Sequence, residues 1–364
     1  MHPRHALLLT MAAALLPGRA QSDLLVVLAK SDHEAALVDP VSLEVVARLP
    51  TGQGPHEVAV SPDGRRAYVS NYGAYAIFRE GEKPAYDPGH SLTALDLERR
   101  AVADTFELGR FTSPHGIVVS RDGKRLWVTC EGAKAVLEID AASGKPLKQW
   151  NTEQEVSHML VVTPDERKLY VTNIRSGSVT VISRTDGTVR SITTGAGTEG
   201  IDLSPDGREV WVSNRGSNTL TVIGVEDDQV RAAIAAGAEM PIRVKFTPDG
   251  QQVWVSNARS RSVGVFDAAR RRRIELIEVG AVPVGIQMSP DGSRAFVACS
   301  EDDLVTVIDV RERKVTGSFS PGREPDGMAW AVSPAPRDSA AARTPRATRE
   351  PVTKPKPRPK RKPQ

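Results

Sequence analysis

Three histidines, a glutamate and an aspartate fall at one register of a repeating chain. Seven residues before each of six recurring aspartates stand His56, His115, His158, Glu199, Ile242 and Val284, and Asp326 takes the matching place ahead of Gly327, as His115 precedes Gly116. The chain holds 7 histidines, and with His2 and His5 in an apolar leader, three of the other five share this register. Imidazole nitrogens suit divalent zinc, copper, iron or nickel, and carboxylates complete or neutralise such sites. The expectation is a metal site of His56, His115, His158 and Glu199, with Glu199 or Asp326 as fourth ligand or as general base toward bound water. The same residue types also build polar pockets for organic ligands or cap strands by hydrogen bonding, and the register alone leaves these alternatives open.

One residue further on, the ring reads Glu57, Gly116, Met159, Gly200, Arg243, Gly285 and Gly327. Small residues there would leave room, while Glu57 and Arg243 supply opposite charges. Arg243 could receive a ligand carboxylate or phosphate, or pair with an acid such as Glu199 or Asp326. The segment 71–90 carries Tyr72, Tyr75, Phe78, Tyr86 and His90 in a chain with only 5% aromatic residues, which points to a lid or specificity loop over a ligand, the alternative being a surface excursion that packs on the next blade. Tyr72, Tyr75, Tyr86 and His90 are its ligand-binding candidates, and His33, in the matching turn of the seventh blade on the same face, is a further candidate for the pocket.

The elements that must position these residues are legible from the repeat. Copies of one phrase, such as SPDGRRAYVSN at 61–71 and SPDGREVWVSN at 204–214, recur with turn aspartates at Asp63, Asp122, Asp165, Asp206, Asp249 and Asp291, spaced 59, 43, 41, 43 and 42 residues apart. A period just above forty filled with short alternating strands reads as a β-propeller blade of four strands, A to D, with the Pro-Asp-Gly turn joining A to B. Six full units begin near His56, His115, His158, Gly200, Arg243 and Gly285. Residues 23–52 supply strands B, C and D, and 326–333 supply a strand A, so the two ends make a seventh blade and close the ring. The first interval is long because of the 71–90 insertion, which shares the face of the histidine register. The expected fold is all-β, a seven-bladed propeller over 21–332.

With YVTN at 170–173, SVTVI at 178–182 and glycines closing strand D at Gly109, Gly195, Gly237 and Gly280, the chain resembles the YVTN-repeat, YncE-like β-propellers of bacteria over about residues 23–332. Lactonase-type propellers share the same repeat logic. The resemblance implies the fold, and a binding or surface role for most of its members.

Residues 1–20 combine Arg4, an apolar stretch from Ala6 to Leu16 and small Gly18 and Ala20, the pattern of a cleaved signal peptide. No cysteine near the cut offers a lipid anchor, and no later segment is long and apolar enough to span a membrane, so a periplasmic or secreted protein is expected. Residues 333–364 carry ten Lys or Arg against Asp338 and Glu350 in a Pro- and Ala-rich tail with too few apolar side chains to fold, while 22–332 net about −7. Such a tail is a solubilising extension or a tether to an anionic envelope surface. Nucleic acid is not an expected partner of an exported chain, and a monomer is expected.

GAGTEG at 195–200 leads into a strand rather than a helix, which argues against a dinucleotide fingerprint. Cys130 and Cys299, the only 2 cysteines, occupy the asparagine register of separate blades and are not expected to pair. Asn71, Asn173, Asn214 and Asn257 at that register are expected to tie the B-to-C turns. Two functional classes follow: a binding or interaction protein with a small-molecule or protein partner at the histidine face, or a metal-dependent hydrolase, lyase or lactonase.

Overall fold

The computed structural model describes residues 22–74 and 87–333. Among these residues, twenty-eight strands form seven antiparallel four-stranded sheets, each one blade of a propeller. The first blade comprises Pro55–Val60, Arg66–Gly73, Pro88–Asp96 and Ala101–Glu107, and five further blades follow in sequence. The seventh takes its inner strand, Pro325–Ala331, from the C-terminal side and its outer three, Leu24–Ala29, Glu34–Val38 and Val45–Pro50, from the N-terminal side. Leu24, Leu25, Val26 and Val27 pair with Ala331, Trp330, Ala329 and Met328. Among the described residues, no helix is long and apolar enough to cross a membrane. The leader 1–20, the tail from 334 onward, and Tyr75, Phe78 and Tyr86 of the insertion lie outside the described residues.

The apolar residues are packed between neighbouring blades rather than in one central core. Trp211, Leu220 and Val222 of the fourth blade meet Val244, Phe246, Val253, Val255 and Phe266 of the fifth. The large residue at the third position of strand B, as in Trp127, Trp211, Trp254 and Tyr170, is fully buried in such a slab. Alternation with period two therefore serves two interfaces at once, because each blade is covered on both faces.

The repeated turn is held by its own side chains. In the fourth blade Ser204 Oγ donates to Asp206 Oδ1 at 2.6 Å, Arg208 N donates to the same oxygen at 3.1 Å, and Glu209 N donates to Ser204 Oγ at 2.9 Å. Gly207 supplies the positive φ of 72° that ends the turn. Tying together turn, hydroxyl and strand start in this way fixes where strand B begins, and with it the register of everything on the opposite face.

The hydrogen bond from Ser204 holds the Asp206 carboxyl below its ordinary value of 3.8. A carboxyl with a depressed pKa in the folded state stabilises the fold above the ordinary value, and that contribution is lost as pH falls through the lowered one. Asp206→Asn keeps an oxygen acceptor but loses the charge. The variant is expected to be less stable than the parent by about 0.5–1 kcal/mol in urea at pH 7. That gap should close as the pH is taken below 3.8. A gap that stays constant with pH would show that the charge is not what holds the turn.

Candidate functional site

Each inner strand reaches the channel mouth through the same distorted entry. It is preceded by a residue in the left-handed region, in order Gly54, Ser113, Val156, Gly197, Met240, Val282 and Glu324. Immediately afterwards the ladder to strand B slips: Pro55 pairs with Asn71 but Glu57 with Ser70, and Ser157 pairs with Asn173 but Leu160 with Val171. The slip recurs in all seven blades, and His56, His115, His158, Glu199, Ile242, Val284 and Asp326 sit in it. A bulge re-aims side chains that a regular ladder would send sideways. The register found by counting from the turn aspartates is thus a structural ring.

The ring is locked by the hydroxyl that precedes the Asn or Cys of strand B. Thr129 Oγ1 accepts from Gly116 N at 2.8 Å in its own blade and donates to the His158 carbonyl of the next at 2.5 Å. Ser70 does the same between Glu57 N and the His115 carbonyl, at 3.1 and 2.6 Å. Thr172 joins Met159 N to the Glu199 carbonyl, and Ser213 joins Gly200 N to the Ile242 carbonyl. The small residues one place beyond the ring do not leave room for a ligand as expected, because the neighbouring inner strand fills it. A Cβ on Gly200 would lie 2.1 Å from the Ile242 carbonyl oxygen, and one on Gly327 would lie 2.3 Å from that of His56.

The three histidines lie side by side. The ring centroid of His115 is 4.1 Å from that of His56 and 3.6 Å from that of His158. His56 Nδ1 lies 2.9 Å from Asp326 Oδ2, and His158 Nδ1 lies 2.5 Å from Glu131 Oε1. His158 Nε2 is 3.6 Å from Glu199 Oε1, whose other oxygen pairs with Arg215 Nη1 at 3.0 Å. His115 is only 1% exposed, and both of its ring nitrogens lack a hydrogen-bond partner among the described residues. Burial, reinforced by His158, His56, Arg243 and Lys30, holds it well below the usual imidazole value, so it is neutral at physiological pH.

A second ring supports the first, and reading the sequence for the first ring alone misses most of it. The residue directly after the Asn or Cys register opens each B-to-C turn: Lys30, Tyr72, Glu131 and Arg215 stand there in four blades. Lys30 Nζ pairs with Asp326 Oδ2 at 3.0 Å. Tyr72 packs edge-on against His56 and His115, each at 5.5 Å, and donates its hydroxyl to Glu131 Oε2 at 2.6 Å. The signal was present at fixed spacing, one place beyond the asparagines.

Other expectations resolve individually. Arg243 pairs with Glu57, lies 3.8 Å from Asp326 Oδ1 and touches the Met159 sulfur, so it joins side chains from three other blades. Burial by itself would raise the Asp326 carboxyl, but Lys30, His56 and Arg243 together hold it far below the usual range. His90 stands apart from the ring, exposed and 2.9 Å from Glu107. His33 Nδ1 accepts from Gly54 N at 3.1 Å, next to the start of the inner strand that carries His56. Asn214 ties Thr219 and Thr221 across strands B and C, the structural role expected of it. Cys130 and Cys299 are buried free thiols.

Residues 189–277 match the family model described as Lactonase, 7-bladed beta-propeller. That segment, less than half of the chain, contains Glu199, Arg215 and Arg243. The comparisons therefore support a lactonase-type propeller, and the narrower likeness to YVTN-repeat proteins stays with the repeat motif. No curated protein matches the chain. Among solved structures, a periplasmic gluconolactonase of Pseudomonas aeruginosa is similar at 18% identity and a TM-score of 0.70, over 86% of this chain and 100% of that one. Hydrazine synthase of Kuenenia stuttgartiensis is similar at 21% identity and 0.66, over 77% and 90%. A functionally unknown protein of Desulfotomaculum acetoxidans is similar at 13% identity and 0.72, over 85% and 99%. At these identities the likeness is one of fold.

Thr129→Val removes the hydroxyl between Gly116 N and the His158 carbonyl and leaves both groups buried and unpaired. Stability in denaturant is expected to fall by about 1–3 kcal/mol. Thr129→Ser, which keeps the hydroxyl, should stay near the parent, and equal losses in the two variants would mean that the methyl packing matters instead.

Proposed function

We propose that the protein is an exported hydrolase that opens a cyclic ester at the channel mouth. The observation that carries this reading is the position of Glu199. It lies in the segment that matches the lactonase family model, pairs with Arg215 from the same segment, and stands 3.6 Å from His158 Nε2 of the histidine cluster. A carboxylate beside an imidazole at the open end of a channel can deprotonate water as the water attacks a carbonyl.

The reaction balances without a further reagent. The water oxygen bonds to the lactone carbonyl carbon while Glu199 takes one water proton, and the ring carbon–oxygen bond then breaks. The proton passes to the departing alkoxide, giving a hydroxy acid. Glu131, held by Tyr72, orients His158 through Nδ1, and Asp326 orients His56. Arg243 is engaged by Glu57, so in this reading it ties blades together rather than binding substrate. Export rests on the charge and apolar pattern of residues 1–20.

Capture of a small molecule without turnover is the competing reading, and it makes no use of the carboxylate beside His158. The test is a panel of γ- and δ-lactones of sugars and hydroxy acids with product acid followed by proton release. The parent is expected to open at least one of them, and Glu199→Gln to lower kcat by about 10²–10⁴-fold with the fold retained. Undiminished turnover in Glu199→Gln would remove its role as base. Tight ligand binding with no turnover in the parent would favour capture.

A further inference from the structure

His115 is the group in the mouth that the hydrolytic reading leaves unused. It is buried in the middle of the cluster, touches a histidine ring on either side, and has a partner for neither nitrogen among the described residues. A buried polar side chain with no partner loses its hydration without return, which a fold tolerates where a ligand supplies the missing bond.

Its neighbours are prepared in a specific way. His56 and His158 each turn Nδ1 toward a carboxylate, Asp326 and Glu131, and those carboxylates are fixed in turn by Lys30 and Tyr72. A carboxylate at Nδ1, hydrogen-bonded in the His158–Glu131 pair and at ion-pair distance in His56–Asp326, leaves Nε2 as the ligand atom, the outer-shell arrangement of metal-binding histidines. The donor atoms of His115, His158 and Glu131 lie within 4.8 Å of one another, as do those of His115, His56 and Glu57, so two donor sets share His115. The rings of His56 and His158 stand 6.4 Å apart, so joining both to one ion at 2.0–2.1 Å, with nitrogens roughly 3.3 Å from one another, takes rotation about the soft χ2 of these side chains.

Charge points the same way. Among the described residues, Glu57, Glu131, Glu199 and Asp326 pair with three fixed cations, Lys30, Arg215 and Arg243, one positive charge short of balance. We propose that His115, together with Nε2 of His56 and His158, binds one divalent transition-metal ion, with Glu131 and Asp326 as the outer carboxylates that orient its ligands. Imidazole donors favour zinc, copper, nickel, cobalt or iron(II) over magnesium or calcium. With three protein ligands, a fourth position stays open beside Glu199, where bound water or a substrate carbonyl would meet the base.

The test uses the purified full chain, stripped with a chelator, incubated separately with zinc(II), cobalt(II), copper(II) and nickel(II), desalted, and analysed for metal per chain. About one bound ion per chain is expected, with a visible cobalt(II) absorption of low-symmetry, four-coordinate type. His115→Ala and the size-preserving His115→Asn should each retain less than a tenth of the metal, whereas His90→Ala should match the parent. Circular dichroism and gel filtration establish that each variant is folded. If the stripped parent takes up none of these ions, or if folded His115 variants keep the full complement, the inference is overturned. The inference does not depend on the reaction: bound metal with no lactone turnover would sink the hydrolytic reading alone, and turnover by a protein that takes up no metal would sink this one alone.

Discussion

The site depends on a hydroxyl group that belongs to two blades at once. Ser70, Thr129, Thr172, Ser213 and Ser256 each accept from the inner strand of their own sheet and donate to the carbonyl of the ring residue in the next. The bulge frees the ring position from regular pairing, and without a partner its carbonyl would be buried and unsatisfied. The hydroxyl supplies that partner and sets the angle between neighbouring blades. In this way a backbone irregularity that could be a weakness becomes the device that holds three histidines in contact.

Around that device the charges are layered. The Glu57–Arg243 pair with Met159 joins the first, third and fifth blades, Asp326 with Lys30 closes the seventh blade, and Glu131 with Tyr72 braces the other flank. Asp326 and Lys30 come from opposite ends of the chain, so ring closure and site assembly are the same event. Buried charges of this kind stabilise little in net terms but are costly to leave unpaired. They select the one arrangement in which every partner is present.

The residues that form the candidate site are spread over six blades, yet the chemistry is concentrated on one side of the mouth. The sixth and fifth blades contribute Val284 and Ile242 to the ring, whereas the first four and the seventh contribute ionisable or imidazole groups. A closed propeller gives each blade an equivalent place at the mouth, so one position per repeat can change without disturbing the packing between sheets. The apolar slabs and the reactive ring are then nearly independent, with the strand B hydroxyl as their link.

By itself the sequence determined the fold and the identity of the first ring. Turn aspartates at a steady period fixed blade number, strand order and the equivalence of His56, His115, His158, Glu199 and Asp326, because local turn chemistry and period-two alternation are properties of neighbouring residues. What surrounds those side chains was decided only by the tertiary structure. That Arg243 would pair with Glu57, that Glu131 and Lys30 would brace His158 and Asp326, and that His115 would be buried without a partner among the described residues depend on blades brought together by closing the ring. Pairing across a channel is set by the angle and distance between distant strands, and spacing along the chain encodes neither.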